Sequence, residues 1–299
     1  MPEVALRHSG MSPLPSSRWA GTVLRQFDDD TAMLLAKDCH TWSCFTMTTP
    51  SELTREHFEV KSRDLASELQ RRLNLSQPPV IRVHHGATIG STHRPSLFFS
   101  VSYVVVVQET KLHGILSCFG SEEHNLLLCR GSRLVMSLVT VFLADAFRCY
   151  VNPLLFGPND LAFGLAFWSA LAFRVSGFDG DYITIQLKHP EVPDFAVDVD
   201  LPVALVGQEL DDTKEIVVDD DGPRVLALFY KTKLVQCSGL ILESFGLQGV
   251  TTPGLAFNAE GSVRFLKSEF ACEALAFLTN IAAWKGQPEI EERSVEGGD

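Results

Sequence analysis

Hydrophobic and polar residues alternate over several short stretches of the chain, and this spacing predicts β-strands. From Tyr182 to Leu187 the alternation is strict, so one face of the strand is apolar and the other is largely polar. Other short runs rich in Val, Leu, Phe and Thr are bounded by turn-forming residues and predict further strands. These are Trp42–Thr48, Val80–His84, Leu97–Val107, Leu112–Phe119, Asn125–Cys129, Phe195–Leu201, Lys233–Glu243 and Ser262–Leu266.

Helical spacing of apolar residues predicts helices in both halves of the chain. Leu65, Leu69 and Leu73 form one apolar stripe, which Ser62 precedes as a candidate N-cap. A second helix is predicted from Ser132 to Phe147. Further helices are predicted from Pro223 to Tyr230 and from Ala271 to Trp284.

A long apolar stretch follows the helix that ends at Phe147. Pro153 prevents this helix from continuing, and a turn is predicted at residues 157–160. The run Leu161–Val175 is then almost wholly apolar. We interpret it as a strand buried on both faces, or as the centre of a sheet.

This order of elements predicts the α+β fold class. We expect mixed, mainly antiparallel sheets with a few packed helices, arranged in two domains. The predicted boundaries give an N-terminal α+β domain at 1–115 and a C-terminal α+β domain at 116–286. Residues 287–299 form an acidic tail that we expect to be disordered.

The overall charge disfavours a protein that is coated in basic residues, because the net charge is −12 over 299 residues. A local basic surface on such an acidic body remains compatible with binding to a phosphate backbone. Charged residues also interrupt the apolar region 134–175, and each of its pieces is shorter than the roughly 18 to 20 residues that span a membrane. A buried core is the better interpretation of this region.

The chain contains seven cysteines, an odd number at irregular spacings. Most lie in apolar runs, where a free cysteine behaves as a small hydrophobic residue. We therefore expect a reducing compartment, the cytosol or the nucleus. The first ten residues lack the apolar run of a secretory signal.

Chemically active motifs are not evident in the sequence, and we expect neither an enzyme nor a bound cofactor. There is no phosphate-binding loop, dinucleotide fingerprint or nucleophile elbow. Three clusters contain possible metal ligands, but buried cysteines, loop histidines and a solvated acidic loop explain them better. The clusters are Cys39, His40 and Cys44; His84, His85 and His93; and Asp211, Asp212 and Asp219 to Asp221.

Basic residues are few but partly clustered, and two interpretations remain open. Surface helices usually carry such charges without a specific partner. Alternatively, the clusters form a local positive groove that contacts DNA phosphates without reading bases. The candidate DNA-backbone contacts are Lys61, Arg63, Arg71, Arg72, Arg224, Lys231 and Lys233.

The stretch from Phe147 to Ala170 resembles the centromere protein L family of the inner kinetochore. The shared pattern consists of two groups of residues whose separation matches the family without a gap. These are Phe147, Cys149, Tyr150, Pro153 and Leu154, then Leu161, Ala166, Trp168 and Ala170. Four further segments agree in order: Met11–Leu14, Leu126–Arg133, Gly261–Phe270 and Glu273–Trp284. The resemblance extends over Val4–Trp284 and is strong from Leu126 onward.

The resemblance implies a non-enzymatic nuclear protein of the centromere and kinetochore. Such a subunit pairs with a centromere protein N-like protein through its C-terminal part. It also joins the network that links centromeric chromatin to the outer kinetochore and supports chromosome segregation. The implied partners are therefore that subunit, other inner-kinetochore proteins, and centromeric nucleosomes or DNA without sequence specificity.

An exposed edge strand in the C-terminal part is the expected site of this pairing. The candidate interface residues are Leu240, Leu242, Val263 and Phe265. Two other classes of function remain open. One is a DNA sliding-clamp or processivity subunit, against which the absence of a repeated domain counts. The other is a small-molecule enzyme with a hidden polar pocket.

Overall fold

The structure is a computed structural model of the 299-residue chain. It describes residues 40–48, 55–85, 96–107, 110–120, 124–174, 181–192, 194–210, 218–234 and 245–286. These residues form eleven strands and six α-helices of a mixed α+β fold, which confirms the predicted class. In chain order the elements are β1 (Thr41–Thr48), α1 (Arg55–Arg72), β2 (Val80–His85), β3 (Ser96–Val107), β4 (Thr110–Gly120), β5 (His124–Arg130), α2 (Arg133–Phe147), β6 (Val151–Pro153), α3 (Pro158–Arg174), β7 (Tyr182–Lys188), β8 (Ala196–Pro202), α4 (Val203–Leu210), α5 (Val218–Leu234), β9 (Gly246–Thr251), β10 (Leu255–Asn258), β11 (Ser262–Phe265) and α6 (Ala271–Gly286).

The chain divides into two compact units, which are described separately. The split unit comprises the described residues within Asp28–Gly157 and Gly254–Asp299. The inserted unit comprises those within Pro158–Pro253. The predicted boundary between residues 115 and 116 falls inside β4, which is paired with β3 on one side and β5 on the other. The two-domain division stays a prediction.

The split unit is built on an antiparallel sheet with the strand order β2-β3-β4-β5-β1-β11-β10. Strand β6 also pairs with β1. Helices α1 and α2 pack on one face of this sheet, where alternate strand residues meet them in a common core. This core includes Leu65, Leu69, Tyr103, Val105, Leu116, Cys118, Leu127, Cys129, Val139 and Leu143.

The opposite face of the sheet is covered by α6 over its central strands. Leu126 and Leu128 alternate with the core residues of β5, so they point away from α1 and α2, and both are fully buried. Helix α6 packs against β5 and β1 and reaches β4. The split unit therefore has three layers over its centre.

Gly261 lies where the pairing partner of β1 changes from β11 to β6. Cys44 donates its backbone N–H to Gly261 O at 2.8 Å and accepts the N–H of Leu154 at 2.9 Å. Gly261 has φ +77°, and a Cβ there would lie 3.1 Å from the Leu154 carbonyl carbon and closer to its oxygen. Glycine is needed because other residues rarely adopt this φ and none fits the space.

The inserted unit combines the antiparallel sheet order β9-β7-β8 with helices α3, α4 and α5. Strand β7 alternates as predicted, with Ile183, Ile185 and Leu187 fully buried. Helix α3 packs against α4, α5 and β9. Its Leu161, Leu165 and Trp168 side chains lie in the interior.

The prediction of a strand at Leu161–Val175 is wrong, because residues 158–174 form helix α3. The predicted turn at residues 157–160 instead contains the start of this helix, and Pro158 is its first residue. Neighbouring elements surround α3, so it is apolar around most of its circumference and shows no amphipathic period. At 15 residues, the run Leu161–Val175 is also longer than an ordinary strand.

Three other predicted elements have different bounds in the structure. Helix α1 begins at Arg55, so Ser62 lies inside it and is not its N-cap. Helix α5 begins at Val218, five residues before Pro223. Lys233 and Leu234 end this helix and do not begin a strand, while residues 235–244 of the predicted strand lie outside the described residues.

Candidate functional site

Ion pairs within helix α1 engage three of the four predicted DNA-contacting residues on that helix. Glu68 accepts hydrogen bonds from Arg71, whose Nη2 lies 2.8 Å from Oε1, and from Nε of Arg72. Lys61 Nζ lies 3.6 Å from a carboxylate oxygen of Asp64. The pKa of Glu68 is lowered to about 2, mainly by the hydrogen bond from Arg71 and next by the hydrogen bond from Arg72. These cations therefore have carboxylate partners on their own helix.

The remaining predicted contact on α1, Arg63, is exposed. Helix α1 carries five Lys or Arg residues but also four Asp or Glu residues. Its surface is therefore a mixed, ion-paired face and not a uniformly positive one. Exposed pairs of this kind contribute little to stability and leave the cations accessible to water.

The three predicted contacts on helix α5 do not share one face. Arg224 and Lys231 are seven residues apart and lie on the same side of the helix. Lys233 is nine residues from Arg224, which places it on roughly the opposite side. Helices α1 and α5 also belong to different compact units. The described elements thus do not gather the seven predicted residues on one helix face.

The predicted exposed edge at Ser262–Leu266 is wrong. Strand β11 pairs with β1 on one side and with β10 on the other, so its backbone is occupied at both edges. Val263 and Phe265 are 1% and 0% exposed. Their side chains are therefore unavailable to a partner in the folded chain. The other two predicted interface residues, Leu240 and Leu242, lie outside the described residues.

A groove of about 260 Å³ lies between helices α1 and α2 in the split unit. Helix α2 contributes three apolar residues and Asp145, and α1 contributes a charged wall. The lining residues are Asp64, Glu68, Arg72, Leu138, Val141, Phe142 and Asp145. This groove is not predicted from the sequence, although Leu134, Leu138 and Val141 at i, i+4 and i+7 place apolar residues on the outer face of α2.

The metal-ligand candidates are only partly placed by the structure. Among the described residues, no group of three or more His, Cys, Asp or Glu side chains is positioned to hold a metal ion. Cys44 is buried in β1, whereas the partly buried His40 precedes this strand and is four residues away along the extended chain. Cys39, His93, Asp211 and Asp212 lie outside the described residues, and the side chains of His84, His85 and Asp219 to Asp221 are likewise not described.

Among the cysteine side chains that the structure describes, four are free and buried, and all four belong to the split unit. They are Cys44, Cys118, Cys129 and Cys149. Burial raises the pKa of each thiol above its usual value. A thiol with a raised pKa and no access to solvent is a poor nucleophile. The positions confirm the prediction that these cysteines act as small apolar residues.

The residues that carry the resemblance are mostly buried packing positions. Phe147, the last residue of α2, and Cys149 are both buried. Leu154, which follows β6, is fully buried. Leu161, Ala166, Trp168 and Ala170 are buried along α3. Tyr150 and Pro153 differ, because both are exposed, Tyr150 to 75%. The backbone of Tyr150 is nevertheless fixed, since its N–H donates to Thr48 Oγ1 and its carbonyl accepts the Thr48 N–H.

Comparison with known proteins gives no match: no protein-family model matches the chain, and no curated protein matches it. Within the part of the chain that the structure describes, none of the helices is long and apolar enough to cross a membrane.

Proposed function

We propose that this protein is a non-catalytic, centromere protein L-like subunit of the inner kinetochore. In this proposal it pairs with a centromere protein N-like protein in the nucleus. The pair takes part in the network that assembles the kinetochore on centromeric chromatin, and so supports chromosome segregation. One observation carries the proposal, namely the ungapped pattern from Phe147 to Ala170 with the flanking segments in the same order.

Burial of this pattern supports the proposal indirectly. Residues such as Phe147, Leu154 and Trp168 lie in the interior, where their size and shape are constrained by packing. A shared set of core positions is expected when two chains share a fold. It is not expected to carry a catalytic activity, because function depends on the exposed site and not on the fold.

The test is purification of the tagged full chain from its native source, followed by mass spectrometry of the proteins that accompany it. We expect a stoichiometric centromere protein N-like partner together with other inner-kinetochore subunits. Recovery with clamp-like chains of similar size would support a sliding-clamp function instead. A chain that is recovered alone would overturn the proposed heterodimer.

A second experiment addresses the proposed interface at Leu240 and Leu242. A Leu240→Asp, Leu242→Asp double variant should lose the partner, because burying a carboxylate in an apolar interface is unfavourable. Val192→Asp is the matched control, since Val192 is 50% exposed in a loop and should tolerate the charge. If the double variant is folded by circular dichroism and still binds the partner, this interface is excluded.

A further inference from the structure

One part of the split-unit sheet has a face that no other element of the described residues covers. Residues of β2, β3 and β4 that point toward α1 and α2 lie in the core, so the alternate residues point the other way. Helix α6 packs over β5 and β1 and makes fewer contacts with β4. The open face is formed by Val80, Arg82, Val104, Val106, Lys111, His113 and Ile115.

Apolar side chains on this open face are unusually accessible. Val80 is 55% exposed and Val106 is 38% exposed. Val80 is paired across the strands with Val104, so the two form a small apolar patch at the end of the sheet. A sheet surface that faces water normally carries polar residues at such positions.

The charge of these strands is opposite in sign to that of the chain. Strands β2, β3, β4 and β5, which are 6, 12, 11 and 7 residues long, contain no Asp or Glu. The whole chain has 37 Asp or Glu residues and a net charge of −12. Arg82 and Lys111 are both exposed on the open face. The face is therefore a cationic region of an acidic protein and is complementary to an acidic partner.

Strand β2 also ends the sheet. It pairs with β3, and among the described residues no strand pairs with its outer edge. The end strand of the inserted unit, β8, carries Asp198, Asp200 and Pro202, which protect an edge against added strands. Strand β2 has the sequence VIRVHH, with neither proline nor carboxylate. Its charged residue, Arg82, disfavours cationic strands and favours acidic ones.

We propose that the outer edge of β2 binds an extended, acidic peptide segment of a partner protein by strand addition. Backbone hydrogen bonds to β2 hold the peptide about 4.8 Å away. Apolar residues of the peptide lie beside Val80, and a carboxylate two residues along pairs with Arg82. This binding site is independent of the proposed kinetochore function.

The test uses the full chain and a fluorescent peptide of the repeat Val-Thr-Glu-Thr, here called the Val and Glu peptide, measured by fluorescence anisotropy. Its Val and Glu residues are two positions apart and therefore lie on one face of an extended strand. A Val and Lys peptide of equal length is the charge control and should bind at least about tenfold more weakly. Arg82→Glu should weaken binding of the Val and Glu peptide about tenfold. No binding of this peptide at 1 mM, or equal binding of both peptides, would overturn the proposal.

Lys111→Glu is the matched variant that separates edge binding from attraction to the whole face. Lys111 lies on β4, two strands from the edge strand β2. The distance from β4 to a strand added beside β2 is roughly 14 Å, so salt largely screens the interaction between Lys111 and a peptide carboxylate. We expect less than about a twofold change. Strand addition would be overturned if Arg82→Glu and Lys111→Glu weakened peptide binding equally and single-stranded oligo(dT) displaced the peptide. That result would indicate that the open face binds a nucleic acid.

Peptide N-methylation tests the backbone hydrogen bonds without altering the protein. In a paired strand alternate residues direct their N–H groups toward the neighbour. Two Val and Glu peptides are compared, one N-methylated at the odd positions and the other at the even positions. The peptide whose methyl groups point toward β2 should lose binding, and the other should retain it. Equal behaviour of the two methylated peptides would contradict strand addition.

Discussion

The ring of Tyr103 lies directly against Gly114, its partner across the β3–β4 pair, in the space that any other side chain would occupy. A Cβ on Gly114 would overlap the end of that ring. Gly131 also borders the ring, and a side chain there would be too close to both residues. Its Cβ would lie 2.7 Å from the Tyr103 hydroxyl oxygen and 2.9 Å from Gly114 Cα. Two glycines thus make room for one buried tyrosine, which covers the glycine in its neighbouring strand.

Gly114→Ala is expected to destabilise the split unit by about 1 to 3 kcal/mol, because the methyl group must displace the Tyr103 ring within a close-packed core. Urea denaturation measures the change. Gly246→Ala is the matched control, since the nearest atom to a Cβ at that position lies 3.7 Å away. Equal stability of Gly114→Ala and the natural chain would contradict the observed contact.

Tyr103→Phe is expected to leave stability unchanged or to raise it by up to about 1 kcal/mol. The hydroxyl oxygen is buried and has no hydrogen-bond partner among the described residues, so its removal relieves an unpaired polar group. Tyr103→Leu is the contrasting variant, because it uncovers Gly114 and should lose roughly 2 to 4 kcal/mol. A large loss in Tyr103→Phe would show that the hydroxyl is paired in solution.

Glu68→Gln is expected to lower stability near neutral pH and to have progressively less effect in acid. The folded-state pKa of Glu68 is about 2, below the ordinary value of 4.5, so the folded chain favours the carboxylate. The stabilisation is therefore present above pH 4.5 and is lost as the pH falls toward 2. Urea denaturation of both chains between pH 2 and 7 measures this difference.

The control for Glu68 is Glu191→Gln, which changes an exposed residue in a loop. Its difference from the natural chain should not follow the same course with pH. A Glu68→Gln effect that persisted unchanged at pH 2 would indicate lost side-chain packing and not the lost ion pairs with Arg71 and Arg72.

The buried cysteines are expected to resist alkylation in the folded protein. Cys44, Cys118, Cys129 and Cys149 are buried, and burial raises the pKa of each thiol, so little thiolate is available. Labelling with iodoacetamide at pH 8 should be at least about 100-fold slower than in urea, because it requires an opening of the core. Peptide mapping by mass spectrometry identifies each site, and rapid labelling of any of the four would contradict its burial.

Charge reversal on α1 tests the predicted contacts with DNA. If Arg63, Arg71 and Arg72 bind phosphates, reversing all three should weaken DNA association by the complex with its proposed partner. The slope of log K against log salt should fall by about 0.9 for each lost contact. Lys188→Glu, in the other compact unit, is the control. An unchanged slope would mean that these arginines serve only the carboxylates of their own helix and the solvent.

Local patterns in the sequence determined most strands and two of the helices. Strand β7 alternates strictly because one of its faces is buried and the other is wet, and this contrast is visible in the residue order. Helix α2 spans Arg133–Phe147, which agrees with the helix predicted from Ser132 to Phe147, and it has five buried residues on one side. The α+β class follows from these elements. The packing residues of the resemblance were likewise recognised from sequence.

Only the tertiary structure decided what each element touches. Helix α3 was mistaken for a strand because burial on all sides removes the amphipathic period that distinguishes the two. Strand β11 was mistaken for an edge because its partners, β1 and β10, are not specified by its own residues. The contact between Tyr103 and Gly114, and the face beside β2 that no other described element covers, also depend on neighbours. Pairing and coverage are properties of the assembled chain, whereas periodicity is a property of each segment.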